Sequence, residues 1–207
     1  MERESPTHLV IMISGRGSNM MAILKAIQTG IIRNVVPEIV ISSKANAGGL
    51  EYAKQFGIPT VVFQNPELRE WAYDSQIANL LDDLGLKGSS SLICLAGYMR
   101  ILSKQFVDKY NMRIVNVHPS LLPSFPGLNA QKQAIEYGVK VSGCTVHLVD
   151  AGIDTGRILM QKAVRVYIND TPETLSERIL KWEHIIYPKT INSYLNANLK
   201  TKMHRPV

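Results

Sequence analysis

The chain has 207 residues, of which 45% are hydrophobic and 19% are charged, and its formal net charge at pH 7 is +6. This length and apolar content predict one domain with a sizeable core and exclude a disordered chain. The positive charge is spread along the sequence without a run of five like charges, which excludes a dedicated nucleic-acid arm and suits a small anionic substrate at least as well.

Strand and helix patterns alternate through the first half of the chain. Short apolar runs predict buried strands at residues 9–13, 38–42, 60–63, 92–96 and 114–118. Apolar residues at helical spacing predict helices at 19–28, at 47–56 and within 66–84. Such an alternation is typical of βαβ units, with a mostly parallel sheet and right-handed crossovers.

The pattern changes after residue 118. Two strand-like runs, at 143–149 and 158–166, are joined by DAGIDTG and predict an antiparallel hairpin. The sequence DTP at residues 170–172 predicts the start of a last helix, because proline is tolerated in a first helical turn.

These elements together predict the fold class and the domain organisation. The fold class is α/β: one Rossmann-like domain with a mostly parallel twisted sheet, helices on both faces and an antiparallel C-terminal hairpin. We expect this single domain to span residues 1–207, with flexible termini at 1–7 and 197–207.

The amino-terminal segment and the two cysteines indicate a compartment. Residues 1–8 are polar and include acids, unlike a signal peptide, and no apolar run approaches the roughly 18 residues needed to span a bilayer. Cys94 and Cys144 lie in apolar runs, which favours buried, reduced thiols over a disulfide. We expect a cytoplasmic protein without a membrane partner.

The sequence SGRGSN, residues 14–19, follows the first predicted strand directly. Its glycines would let the backbone approach a ligand closely, Ser18 or Asn19 could cap the next helix, and the free amides of that helix favour a phosphate. Met20 replaces the last glycine of a dinucleotide motif and no P-loop is present, so a monophosphate is favoured. An ordinary strand–helix turn is an equally open alternative.

A polar pair ends the fifth predicted strand. Asn116 and His118 are two residues apart and therefore share one face of the strand, and Pro119 favours an extended backbone at His118. Both side chains could donate hydrogen bonds to an oxyanion, which makes them candidates for catalysis. The alternative is a structural role, which is common for a lone histidine at a strand end.

The sequence DAGIDTG, residues 150–156, contains two acids and two glycines. It is compatible with a plain hairpin turn, and two acids alone make a weak case for a divalent ion. No zinc motif is present, so no metal site is predicted.

Two further observations concern the chemistry of the site. His147 is either a supporting hydrogen-bond partner of the site or a hydrogen-bonded core histidine. The absence of a G-x-S-x-G motif favours direct transfer between two substrates over a covalent enzyme intermediate.

Five stretches resemble the phosphoribosylglycinamide formyltransferases of purine biosynthesis. They are SGRGSN, LAGYMRIL, NVHPSLLPSFPG, GCTVH and DAGIDTGRILMQ, and the resemblance extends from about residue 9 to about residue 194. HPSLLP with a downstream acid-rich loop is shared by a wider group of formyl-transferring folate enzymes. Methionyl-tRNA formyltransferases carry an additional carboxyl-terminal domain and formyltetrahydrofolate deformylases an amino-terminal regulatory domain, neither of which we expect in this chain.

The resemblance implies a reaction and its catalytic residues. The formyl group of 10-formyltetrahydrofolate, a co-substrate, would move to the primary amine of glycinamide ribonucleotide through a tetrahedral intermediate. Asn116, His118 and Asp154 would be catalytic, and Asp154 would raise the pKa of His118 and orient its ring.

The same resemblance implies the substrate contacts and the partners. The ribonucleotide and its phosphate would contact Gly17, Ser18, Asn19 and Glu183. The folate would contact Met99, Arg100, Ile101, Leu102, Asn116, Asp150, Ala151, Gly152, Ile153 and Asp154. No metal or nucleic acid is expected, and the protein would be a monomer or a homodimer. The alternatives are a formyltetrahydrofolate hydrolase and a non-catalytic nucleotide- or folate-binding module.

Overall fold

The computed structural model describes residues 5–203, with side chains through residue 197. Within this range, seven strands form one sheet in the order β3-β2-β1-β4-β5-β6-β7. The strands are β1 (Thr7–Ile13), β2 (Val35–Ser42), β3 (Thr60–Val62), β4 (Ser91–Leu95), β5 (Ile114–His118), β6 (Val141–Leu148) and β7 (Ile158–Arg165). The helices are α1 (Ser18–Gln28), α2 (Gly49–Gln55), α3 (Glu70–Asp83), α4 (Lys104–Lys109), α5 (Ala130–Tyr137) and α6 (Pro172–Met203).

The strand directions match the predicted fold class. β1 to β5 run parallel, β6 runs antiparallel to β5, and β7 runs antiparallel to β6. One core packs α1, α2, α5 and α6 against the sheet, and a second core packs α3 and α4 against its other face. The central strands are buried on both faces, which explains their continuous apolar runs. The predicted α/β domain with a mostly parallel sheet and a C-terminal hairpin is confirmed.

The structure contains two helices that the sequence patterns do not predict, α4 and α5. α4 has six residues, too few for a clear helical period, and begins at Ser103, whose hydroxyl accepts a hydrogen bond from the N–H of Phe106 at 3.3 Å. α5 buries only the small side chains of Ala130 and Ala134, which give little apolar periodicity.

Both termini that we expect to be flexible include residues of regular secondary structure, and their flexibility stays a prediction. β1 begins at Thr7, and α6 continues to Met203 through residues that favour helix. Residues 1–4 and 204–207, also predicted to be flexible, lie outside the described residues. No helix in the described part of the chain is long and apolar enough to cross a bilayer.

The carboxyl ends of β1 and β4 form the point where the chain topology reverses. β1 is flanked by β2 on one side and β4 on the other, and open α/β sheets bind ligands in the crevice at such a point. The N–H of Ser14, just after β1, donates to the carbonyl of Gly97 at 3.1 Å. Its hydroxyl accepts from the N–H of Met99 at 2.8 Å and pairs with the hydroxyl of Ser43 at 2.6 Å.

Candidate active site

One face of strands β5 and β6 carries a group of polar side chains. Asn116 pairs with His147 across the two strands, and His118 pairs with Thr145 in the same register. Directly opposed residues point to the same face, so all four side chains lie on one side of the sheet. His118 and His147 are buried, and Asn116 is half-buried. The prediction that Asn116 and His118 share a face is confirmed.

The loop between β6 and β7, residues 149–157, brings an acid onto this face. Asp154 places Oδ2 3.2 Å from Nδ1 of His118 and Oδ1 3.6 Å from Nε2 of His147. Its Oδ2 also accepts a hydrogen bond from the N–H of Gly127 at 2.8 Å. The three residues predicted to be catalytic therefore lie together, and Asp154 links its loop to the segment that follows β5.

The hydrogen bonds of His118 constrain where its proton lies. Nε2 is 2.8 Å from the carbonyl oxygen of Phe125, and a carbonyl can only accept, so Nε2 carries a hydrogen. Nδ1 faces the carboxylate of Asp154, and it carries a hydrogen only when the ring is an imidazolium. The imidazolium would therefore be bound on one side by a carbonyl and on the other by a carboxylate.

Burial and charge act in opposite directions on these two groups. Burial lowers the pKa of His118 below its ordinary value, although the Phe125 carbonyl and the charge of Asp154 act to raise it. Asp154 acts to raise the pKa of His118, as expected. The cost of burying the imidazolium is larger, so the pKa of His118 is lowered overall, where we expected it to be raised. Burial raises the pKa of Asp154, but its contacts with His147 and Gly127 and the charge of His118 outweigh that effect, and the pKa lies below its ordinary value.

His147 lies between Asn116 and Asp154, the acid in the loop between β6 and β7. Its Nε2 lies 3.2 Å from Nδ2 of Asn116, and its Nδ1 lies 2.9 Å from the carbonyl oxygen of Leu148. In the tautomer that carries its hydrogen on Nδ1 alone, Nε2 accepts one hydrogen from Nδ2 of Asn116, which keeps the other; a hydrogen on Nε2 would instead point to Oδ1 of Asp154. His147 is buried and lies within hydrogen-bond distance of both Asn116 and a backbone carbonyl, so its supporting role at the site stays a prediction.

Two polar side chains that the sequence analysis missed hold the segment after β5. The hydroxyl of Thr145 donates to the carbonyl of Ser120 at 2.7 Å and accepts from the N–H of Leu122 at 3.0 Å. Nε2 of Gln161, on β7, donates to the carbonyl of Leu122 at 2.9 Å. The signal in the sequence was a threonine on the same face as His147, flanked by the apolar residues Cys144 and Val146.

The turn between β1 and α1 has a conformation that only glycine adopts easily. Gly17 precedes the helix with φ +76°, and a Cβ there would lie 2.6 Å from Cα of Gly49. No side chain caps α1, so the predicted cap at Ser18 or Asn19 is wrong. Asn19 instead donates from Nδ2 to Oε2 of Glu183, on α6, at 2.7 Å. The first amides of α1 therefore have no capping side chain and face outward, as the predicted phosphate site requires.

A groove of about 760 Å³ lies beside this turn, between α1 and α6. Among the described residues that line it are three cationic side chains, Arg16, Lys25 and Lys189, and no acid; burial lowers the pKa of a fourth basic residue, His184. A lining of this charge favours an anionic ligand next to the turn.

The loop after β4 presents only part of the predicted folate site to solvent. Met99 and Ile101 are 63% and 73% exposed. The guanidinium of Arg100 is engaged elsewhere: Nη2 donates to the carbonyl of Leu68 at 2.7 Å, and the group lies 3.6 Å from the ring centroid of Tyr73. The side chain of Arg100 therefore points toward α3, and that of Leu102 is buried.

The acid loop is held by its own hydrogen bonds. Oδ1 of Asp150 accepts from the N–H of Gly152 at 3.1 Å and from the hydroxyl of Thr155 at 2.7 Å. Ala151 and Ile153 are exposed. The two predicted acids thus differ, because Asp150 bonds within the loop while Asp154 reaches the histidines. In the described part of the chain, no group of three or more His, Cys, Asp and Glu could hold a metal ion.

Comparison with known proteins assigns this arrangement to a family. The model of a family described as formyl transferase matches residues 7–191. The chain belongs to the formyl transferase family. The chain is 40% identical over 195 residues to phosphoribosylglycinamide formyltransferase of Escherichia coli (strain K12), covering 93% of the chain and 89% of that protein.

Two further relatives extend the comparison. The formyl transferase chain is 44% identical to the trifunctional purine biosynthetic protein adenosine-3 of Drosophila melanogaster over 91% of its own length, but it spans only 14% of that protein. Its fold is similar to the crystal structure of glycinamide ribonucleotide transformylase 1 from Symbiobacterium toebii, with a TM-score of 0.85 and 44% identity over 92% of this chain and 88% of that one. The resemblance found in the sequence is confirmed at the level of family and fold.

Proposed function

We propose that this formyl transferase moves the formyl group of 10-formyltetrahydrofolate to the primary amine of glycinamide ribonucleotide. The observation that carries the proposal is the cluster of Asn116, His118 and Asp154, which combines oxyanion donors with an ionised acid. The printed names of relatives that cover most of this chain, from Escherichia coli and Symbiobacterium toebii, give the substrate class.

The side chains can stabilise the charge that develops during transfer. Attack of the amine on the formyl carbon forms a C–N bond and leaves an oxyanion on the formyl oxygen. The free hydrogen on Nδ2 of Asn116 can donate to it, and the oxyanion competes with the Phe125 carbonyl for the hydrogen on Nε2 of His118. Donors aimed at a developing oxyanion typically contribute a factor of about 10²–10³ to kcat each.

The reaction also requires a proton transfer. The attacking amine loses a proton, and the folate nitrogen gains one as its bond to the formyl carbon breaks. Asp154 is ionised at neutral pH, so it can accept the proton from the amine, directly or through water, and return it to the departing nitrogen. No covalent intermediate with the enzyme is needed, because both substrates are bound together.

The substrates are proposed to occupy the two sides of the crevice between β1 and β4. The phosphate would lie on the outward amides of α1, near the basic side chain of Arg16 in the adjoining groove. Glu183 would contact the ribonucleotide, and the folate would lie against residues 97–102 and 150–154. For the assembly, we propose a monomer or a homodimer.

One assay tests the proposal. The protein is mixed with 10-formyltetrahydrofolate, with and without glycinamide ribonucleotide, and release of tetrahydrofolate is followed by absorbance. We expect release only when the ribonucleotide is present, and none with His118→Ala. Equal release without the ribonucleotide would instead identify a formyltetrahydrofolate hydrolase. Binding of both compounds without release would identify a non-catalytic binding module.

A further inference from the structure

The 97–103 loop, which carries the proposed folate contacts after β4, is held at both ends by buried polar groups. At its start, the hydroxyl of Ser14 accepts from the N–H of Met99 at 2.8 Å. At its end, the N–H of Ser103 donates to Oδ2 of Asp74, on α3, at 2.5 Å. The exposed part of the loop therefore lies between two fixed points.

Asp74 is an unusual residue for its position in the core. Its exposure is only 1%, and it lies among the apolar residues through which α3 packs on the sheet. Burial raises its pKa, and the hydrogen bond from Ser103 and the nearby charge of Arg100 oppose that rise. A buried carboxylate lowers stability unless its partners compensate, and the N–H that donates to Asp74 belongs to the 97–103 loop.

The residue before Asp74 on α3 contacts the same loop. The guanidinium of Arg100 lies 3.6 Å from the ring centroid of Tyr73 and donates to the carbonyl of Leu68. The hydroxyl of Tyr73 donates to the carbonyl of Phe63 at 2.5 Å. Two successive residues of α3 thus fix the end of the 97–103 loop and connect it, through Arg100, to the segment after β3.

We infer that Asp74 is a positioning residue for the folate: through the N–H of Ser103 it fixes the backbone on which the folate binds. The inference rests on the proposed function, because it requires the 97–103 loop to contact the folate. Asp74 is itself buried beneath the loop and touches no reacting group.

The inference is tested with Asp74→Ala and Asp74→Asn, using Asp108→Ala as a control that removes an exposed acid from the adjacent α4. Asp74→Ala removes the acceptor of a charge-assisted hydrogen bond, so KM for 10-formyltetrahydrofolate should rise about tenfold or more. Asp74→Asn retains an oxygen acceptor but loses the charge, and it should raise this KM by about threefold. KM for the ribonucleotide should stay within about twofold in all variants, and Asp108→Ala should match the parent in both.

The split between the two KM values separates positioning from general stability. A residue needed only for folding would reduce the fraction of active protein and leave the KM of the folded molecules unchanged. If Asp74→Ala does not fold, Asp74→Asn decides the question. A parental folate KM in Asp74→Asn, or an equal rise in both KM values, overturns the inference. Absence of turnover in the parent protein would contradict the proposed function instead.

Discussion

Nδ2 of Asn19 donates a hydrogen bond to Oε2 of Glu183 at 2.7 Å, joining the first turn of α1 to α6 across 164 positions of sequence. Glu183 is only 6% exposed. Burial raises its pKa, and the hydrogen bond from Asn19 only partly offsets that effect. A carboxylate whose pKa is raised in the folded state destabilises that state as the pH rises above its ordinary value. Because Glu183 lowers stability yet lies beside the proposed phosphate site, we expect it to help bind the ribonucleotide.

Replacing Glu183 by Gln should separate stability from binding. Gln removes the buried charge, so Tm at pH 7 should equal or exceed that of the parent, while KM for glycinamide ribonucleotide should rise about tenfold or more. The folate KM should not change. Thermal unfolding and initial rates measure both effects, and a lower Tm with a parental ribonucleotide KM would show that Glu183 serves only the packing of α6.

Removal of either oxyanion donor should reduce turnover with little effect on binding. Asn116→Ala and His118→Ala should each lower kcat by a factor of about 10² or more, while binding of each substrate, measured by calorimetry, stays close to the parental value. His8→Ala, which removes a histidine paired with Glu38 at the start of β1, is the matched control. Near-normal turnover in His118→Ala would reject the catalytic assignment.

The two acids of the 150–156 loop should behave differently. The charge of Asp154 acts to raise the pKa of His118, so Asp154→Asn should lower this pKa further and abolish most activity. Asp150→Asn should be milder, because Asp150 bonds only within its loop. An NMR titration of the histidine ring measures the shift. An unmoved His118 in Asp154→Asn, or a stronger loss of activity in Asp150→Asn, would mean that the wrong acid has been chosen.

In the turn after β1, glycine is required at position 17 and is not required at position 15. Gly17→Ala places a side chain at φ +76° against Cα of Gly49, and it should lower the free energy of unfolding by about 1–3 kcal/mol. Gly15→Ala meets no atom within 4 Å and should change stability by less than about 0.5 kcal/mol. Urea unfolding compares them, and equal losses would contradict the contact with Gly49.

Asp170 should make stability depend on pH in the acid range. Hydrogen bonds from Arg178 at 2.7 and 2.8 Å hold its pKa well below the ordinary value. This stabilisation is complete above the unfolded carboxyl pKa of about 3.9 and is lost as the pH falls toward the lower folded value. Asp170→Asn should therefore cost about 1.5–3 kcal/mol at pH 7, and the difference from the parent should shrink near pH 2. A constant difference across this range would exclude the ionised carboxylate as its source.

The sequence predicts those features that depend on periodicity. The central parallel strands contain continuous apolar runs because both faces are covered, and the shared face of Asn116 and His118 follows from the two-residue period of a strand. Hydrogen bonds from a side chain to a distant backbone N–H leave no periodic pattern in the sequence. Ser14 binds the N–H of Met99 across 85 positions, and Asp74 binds the N–H of Ser103 across 29. Nothing in the type of residue at position 99 or 103 indicates these bonds, so only the folded chain reveals them.

The hydrogen bond between the N–H of Ser14 and the carbonyl of Gly97 joins the segments after β1 and β4 through main-chain atoms. At this point the turn and the 97–103 loop lie about as far apart as neighbouring strands, ~4.8 Å, and the hydroxyl of Ser14 adds a second link to the N–H of Met99. Two substrates that react directly must hold their atoms within about 3–3.5 Å. Substitutions of exposed side chains around the crevice can therefore change which molecules bind. The distance between the formyl donor and its acceptor depends instead on the positions of β1 and β4 in the sheet.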